Sequence, residues 1–170
     1  MRKGKLFVID KTYTELQAID NVIGYAIDSY FAEHDDILFS LVNNDCYQAI
    51  IDDFYRTHNA LTKPVKRKIF HFILSTPIAK DMERTLLEGA NAIKEYFEYY
   101  GHQAVLIPHF SSKNNCNNYH WHIVVNSVSI TTGNVLQNRY ETYNSIINFL
   151  NQNTCTEWSW NYKHSDIYSN

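Results

Sequence analysis

Two histidines separated by one residue, His120 and His122, form the part of the sequence best suited to chemistry. They lie in the segment Tyr119–Asn126, which reads Tyr-His-Trp-His-Ile-Val-Val-Asn and is rich in the aromatic and β-branched residues that favour strands. Alternate side chains of a strand point to the same face, so the two imidazoles should project together. Adjacent imidazoles bind divalent metal ions well. The pair therefore predicts a metal site.

A third histidine, His109, follows the strand that we predict over residues 103–108. A polar segment, residues 111–118, separates this strand from the one that carries His120 and His122, which favours an antiparallel hairpin. Pairing of the two strands would bring His109 next to the pair. Three histidine ligands would leave coordination positions of the ion open for a substrate phosphate, as a catalytic metal requires.

The elements that must position these histidines alternate along the chain. Apolar periodicity and turn residues predict strands at 6–9, 37–42, 67–75, 103–108 and 119–128, and helices at 16–28, from Asp45, at 80–100 and at 135–150. This order predicts an α+β fold with helices on one face of a central, mostly antiparallel sheet, which leaves the other face for the site. The length suits one domain over residues 1–170, with a tail at 153–170 that the pattern does not assign.

Composition and charge limit the classes of function. The net charge of −3 argues against a non-specific nucleic-acid binder. The three cysteines are an odd number without metal-ligand spacing, so we expect free thiols and a cytoplasmic location. No apolar stretch has the length of a membrane span.

The histidine motif and the segments around it resemble those of a known protein family. The segment 104–109, then His120, His122 and Asn126 in the pattern H-x-H-x-x-x-N, then Thr132-Gly133, resembles the relaxase/mobilisation nuclease family of HUH endonucleases. Further segments resemble relaxases in the same order: the N-terminal helix at 16–28, the Asn44-Asp45-Cys46 segment, and the strand at 68–75 that precedes a long helix. The chain departs from the family's H-x-D motif, because Ser111 stands in the place of the aspartate.

The resemblance implies an HUH/ferredoxin-like fold and a defined reaction. It implies metal-dependent nicking and strand transfer of single-stranded DNA at a plasmid or mobile-element transfer origin, through a covalent phosphotyrosine. The family position of the nucleophile falls on Tyr25, and His109, His120 and His122 would hold Mn²⁺ or Mg²⁺. Accessory mobilisation proteins would be further partners.

Other tyrosines leave alternatives open. Tyr140 and Tyr143 follow the histidine motif, as the nucleophile does in rolling-circle replication initiators of the HUH class, and Tyr30 is a further candidate near the first helix. A third reading is a DNA-binding or partner-binding relative that has lost turnover.

Several polar residues outside the histidine motif are candidates for contacts with DNA. We expect Lys66, Arg67 and Lys68 to contact phosphates, and Asn126 to contribute to DNA binding. His71 alternates with phenylalanines in the strand at 67–75 and could face the same side as the metal site, but we interpret it as a hydrogen-bonded strand histidine.

Overall fold

The structure is a computed structural model that describes residues 2–28, 36–43, 45–77, 81–109 and 119–163 of the chain. In chain order, its elements are β1 (Arg2–Ile9), α1 (Gln17–Asp28), β2 (Leu38–Ser40), α2 (Tyr47–Asn59), β3 (Ile69–Ser75), α3 (Met82–Tyr99), β4 (His102–His109), β5 (His120–Ser129), α4 (Tyr140–Asn153) and β6 (Thr156–Lys163). No helix within the described residues combines the length and the apolar character needed to cross a membrane.

The strands form one six-stranded sheet in the order β2-β4-β5-β3-β1-β6. Every neighbouring pair is antiparallel except β1 and β6, which run parallel. The α+β class and the mostly antiparallel sheet predicted from the sequence are confirmed.

Strand alternation divides the apolar side chains between two cores, one on each face of the sheet. The first core packs α3 and α4 against Leu6, Phe72 and Trp121 among others. The second packs α1 and α2 against Ile69, Val105, Ile107 and Val124. The prediction that all helices lie on one face is corrected here: the apolar faces of α1 and α2 cover part of the face that was expected to be free.

The C-terminal segment contains a strand that the sequence pattern does not predict. Residues Thr156–Lys163, which the pattern left unassigned, form β6 at the edge of the sheet. Their alternation of buried and exposed side chains is the usual signal of a half-buried strand. Helix α4 begins at Tyr140 rather than near Val135, because Val135 forms a β-bridge with Val128.

Candidate metal centre and nucleophile

The register of β4 and β5 brings the predicted ligands together. The two strands form the predicted antiparallel hairpin, with His109 opposite His120 and Ile107 opposite His122. Their alternation places the three histidines on one face of the sheet, which we call the histidine face. The nitrogen atoms with which the three side chains can bind metal all lie within 4.8 Å of one another.

The spacing of the imidazoles suits one shared ion. Nε2 of His120 lies 3.1 Å from Nε2 of His122. Two nitrogens at about 2.1 Å from one ion, at a right angle to each other, lie about 3 Å apart. Nε2 of His109 donates to the backbone carbonyl of Ala26 over 2.8 Å, which leaves Nδ1 of that ring as the nitrogen with a free lone pair.

The protonation state of the cluster also suits a metal. Burial lowers the pKa of His109 and of His122, and the neighbouring imidazoles lower the pKa of His122 further. These rings are therefore neutral at neutral pH, which is the form that binds metal. His109 and His122 are buried while His120 is half-buried, so the cluster is open to solvent on the side of His120.

A fourth histidine, His71 of the neighbouring strand β3, contacts His122 of the cluster. Its Nε2 lies 2.8 Å from Nδ1 of His122, and its Nδ1 lies 3.4 Å from the hydroxyl of Tyr13. If Nε2 of His122 binds the ion, Nδ1–H of His122 donates to His71, and Nδ1–H of His71 donates to Tyr13. Such outer contacts fix the tautomer and orientation of a ligand histidine. The sequence placed His71 in a strand but did not predict this contact, because the pairing of β3 with β5 creates it.

Tyr25 lies beside the cluster. Its ring centroid is 5.7 Å from that of His122 in an edge-to-face arrangement, and the side chain is 41% exposed. Helix α1, which carries Tyr25, is attached to the histidine face at the next residue, where the carbonyl of Ala26 accepts the hydrogen bond from His109. The structure therefore brings a partly exposed phenol ring next to one histidine of the cluster.

The rival tyrosines of α4 lie on the other side of the sheet. Tyr143 is fully buried in the core under α3 and α4, its hydroxyl donates to the side chain of Asn138, and burial raises its pKa. Tyr140 is exposed and packs against Trp160. Neither lies on the histidine face. Tyr30, Asn44 and Ser111 lie outside the described residues.

Asn126 has a structural environment that corrects its predicted contact with DNA. It is fully buried, and its amide nitrogen lies 2.9 Å from Oε1 of Gln103 and 3.3 Å from the carbonyl oxygen of Phe54. Its Oδ1 accepts from the backbone nitrogen of Val128. Asn126 thus joins α2 to the sheet and has no surface to offer a ligand.

The basic cluster at 66–68 is not part of the metal centre. It precedes β3, whereas the histidines lie at the other end of that strand, where Ser75 pairs with His120. A strand of seven residues separates its ends by about 20 Å. The guanidinium of Arg67 lies over the ring of Phe70, 4.5 Å from its centroid.

Comparison with known proteins agrees with this geometry. A model of the relaxase family, described as "MobA/VirD2-like, nuclease domain", matches residues 25–160. The chain therefore belongs to the relaxase family. Neither a curated protein nor a solved structure gave a significant match. The matched segment contains Tyr25 and all three histidines of the cluster.

Proposed function

We propose that this protein is a metal-dependent relaxase that nicks single-stranded DNA and keeps one end as a phosphotyrosine on Tyr25. The observation that carries the proposal is the position of the Tyr25 ring, 5.7 Å from His122 and accessible, beside three convergent histidines. Membership of the relaxase family supports a nicking nuclease. The choice of Tyr25 as the nucleophile and of a metal ion as the cofactor goes beyond what family membership supports.

The proposed reaction is a transesterification. The hydroxyl oxygen of Tyr25 bonds to the scissile phosphorus, and the bond from phosphorus to the 3′ oxygen breaks. The products are a 5′-phosphotyrosine and a free 3′-hydroxyl, which takes up the proton that the phenol loses. A protonated phenol is a weak nucleophile, so the reaction needs an activated phosphate. A bound divalent ion would supply this activation by neutralising charge on the phosphate oxygens.

The donor set favours Mn²⁺ over Mg²⁺. His109, His120 and His122 offer three neutral imidazoles, and no carboxylate belongs to this cluster within the described residues. Imidazole suits transition metals, whereas Mg²⁺ prefers oxygen ligands and keeps its waters. Titration calorimetry should show tighter binding of Mn²⁺ than of Mg²⁺, and His120→Ala should weaken both. Equal affinities would contradict the assignment of the ion.

The substrate follows from the family. We infer that the DNA is a plasmid or mobile-element transfer origin, with accessory mobilisation proteins as partners. The basic cluster Lys66, Arg67 and Lys68 would contact DNA about 20 Å from the cleaved phosphate. The rolling-circle alternative requires Tyr140 or Tyr143, and both lie on the opposite face of the sheet.

A covalent-adduct assay tests the nucleophile. The protein is incubated with end-labelled single-stranded origin DNA and Mn²⁺, and the adduct is measured after denaturing electrophoresis. Tyr25→Phe should abolish the adduct, whereas Tyr140→Phe, which removes an exposed hydroxyl on the other face, should leave it unchanged. An undiminished adduct with Tyr25→Phe would overturn the assignment of Tyr25.

A further inference from the structure

One half of the histidine face is not covered by any helix in the described part of the chain. Helices α1 and α2 pack over the half formed by β4, β5 and the start of β3. The other half is formed by β1 and β6, and its outward side chains follow from strand alternation and register. We call this surface the β1–β6 strip, and it comprises Lys3, Lys5, Phe7 and Ile9 of β1 with Glu157, Ser159, Asn161 and Lys163 of β6.

The strip continues directly from the metal centre. Lys5 pairs with Ser75, and Ser75 pairs with His120, so only one strand separates Lys5 from a ligand histidine. Phe7 pairs with Ile73, and Ile73 pairs with His122 in the same way. Two strand spacings amount to about 10 Å. A polymer bound at the histidines would therefore reach the strip within a short length.

Positive charge is concentrated on this strip, although the whole chain carries a net charge of −3. Lys3, Lys5 and Lys163 lie on it, and the acidic residue that shares the face is Glu157, opposite Lys3. Lys163 also lies near the histidine cluster, because its charge acts on two of the buried rings. Burial is the main cause of the lowered pKa of His71 and of His122, and the positive charge of Lys163 lowers both pKa values further. The strip thus has the sign of charge that phosphates require.

Phe7 adds an aromatic surface to these charges. The side chain is half-buried on a strand face where its neighbours Lys5, Ser159 and Asn161 are exposed. Nζ of Lys163 lies 5.8 Å from the centroid of its ring. A ring of this kind can stack on an unpaired base while the nearby lysines contact the phosphates on either side.

We propose that the β1–β6 strip binds the single-stranded DNA that extends from the cleaved phosphate. The assignment rests on the proposed nicking function, and it extends it to residues that the family match does not contain, since Lys5, Phe7 and Lys163 lie outside 25–160. Single-stranded DNA fits better than duplex, because only unpaired bases expose a face on which Phe7 can stack.

The test separates charge from stacking. Binding of a fluorescent oligothymidylate of about 16 nucleotides, a length within the range of a single sheet-based binding fold, is measured in EDTA at several salt concentrations. Lys5→Gln should reduce the slope of log affinity against log salt by about 0.7, the contribution of one phosphate contact to single-stranded DNA. Phe7→Leu should lower affinity at least about fivefold and leave the slope unchanged.

Matched controls lie on the other face of the sheet. Lys94→Gln removes one positive charge from α3, and Tyr99→Leu removes an exposed ring from the same helix, so neither should affect binding. Thermal unfolding of each variant confirms that it is folded. Wild-type affinity and slope in both strip variants, or equal losses in the controls, would overturn the proposal. So would duplex binding as tight as single-strand binding together with no effect of Phe7→Leu.

The outcomes also distinguish the strip from the nicking function. Covalent adduct formation with unaltered binding by Lys5→Gln and Phe7→Leu would disprove the strip and leave the nuclease proposal intact. Loss of affinity in the strip variants without any adduct from the wild-type protein would support the strip and disprove nicking. Absence of all oligonucleotide binding would overturn the strip.

Discussion

Nε2 of His71 lies 2.8 Å from Nδ1 of His122, and the two ring planes meet at 29° with centroids 5.1 Å apart. Both residues are buried, so no bulk water competes for this hydrogen bond. If Nε2 of His71 accepts this hydrogen bond, Nδ1–H of His122 donates it and Nε2 of His122 stays available for a metal ion. We expect His71 to act as a positioning residue, because it is buried and contacts the proposed ligand His122.

We expect His71→Ala to weaken metal binding by about 10- to 100-fold, the usual effect of removing an outer partner of a ligand histidine. His71→Gln should restore most of the affinity, since its side-chain oxygen can accept the proton of His122 Nδ1. Titration calorimetry with Mn²⁺ measures both variants. Equal affinities of the alanine and glutamine variants would show that hydrogen bonding by His71 does not orient the ligand.

Buried histidines should make stability depend on pH below neutrality. Burial is the main cause of a lowered pKa in His58, His71, His102, His109 and His122. Above pH 6.5, the ordinary pKa, these rings are neutral in both the folded and unfolded states. Below it the unfolded chain binds protons that the folded chain does not, so the free energy of unfolding falls as the pH falls.

Urea unfolding in EDTA between about pH 7.5 and about pH 5.5 measures this dependence, in a range where carboxylates stay ionised. Each histidine contributes a slope of up to about 1.4 kcal/mol per pH unit. His71→Gln should reduce the total slope by that amount at most. A free energy of unfolding that stays constant or rises on acidification would contradict the assignment of neutral buried imidazoles.

The convergence of the histidines could be predicted from sequence, because it depends on short-range rules. Strand alternation places His120 and His122 on one face, and a single hairpin brings His109 to them. The contact of His71 with His122, two residues 51 positions apart, depends instead on the pairing of β3 with β5. Periodicity within one strand contains no information about such a register.

The positions of α1 and β6 illustrate a second limit. The apolar stripe of α1 indicates that one side of this helix is buried. The stripe does not determine which of the two faces of the sheet the helix packs against. The segment Thr156–Lys163 alternates as a strand does, yet its two tryptophans and polar neighbours suit an irregular tail equally well. Its parallel pairing with β1 joins the two ends of the chain, which no local signal indicates.

Asn126 should matter for stability rather than for metal binding. Asn126→Ala would leave Oε1 of Gln103 and the carbonyl of Phe54 without this donor in a buried region. We expect a loss of about 1–3 kcal/mol in the free energy of unfolding. Asn91→Ala is the matched control: Asn91 is exposed on α3, so its loss should stay within about 0.5 kcal/mol. A large fall in Mn²⁺ affinity with intact stability in Asn126→Ala would contradict the structural role.

Docking of β6 depends on the absence of a side chain at Gly4. Gly4 lies opposite Trp158 in the pairing of β1 with β6, and a Cβ atom at Gly4 would overlap the indole ring, while one at Gly89 of α3 would lie 2.6 Å from it. Gly4→Ala should therefore cost about 1–3 kcal/mol by overpacking. In a Trp158→Leu background the same substitution should cost much less, because the smaller side chain leaves room. Urea unfolding of the two single variants and the double variant gives the coupling energy. An equal cost of Gly4→Ala in both backgrounds would mean that the indole does not set the requirement for glycine.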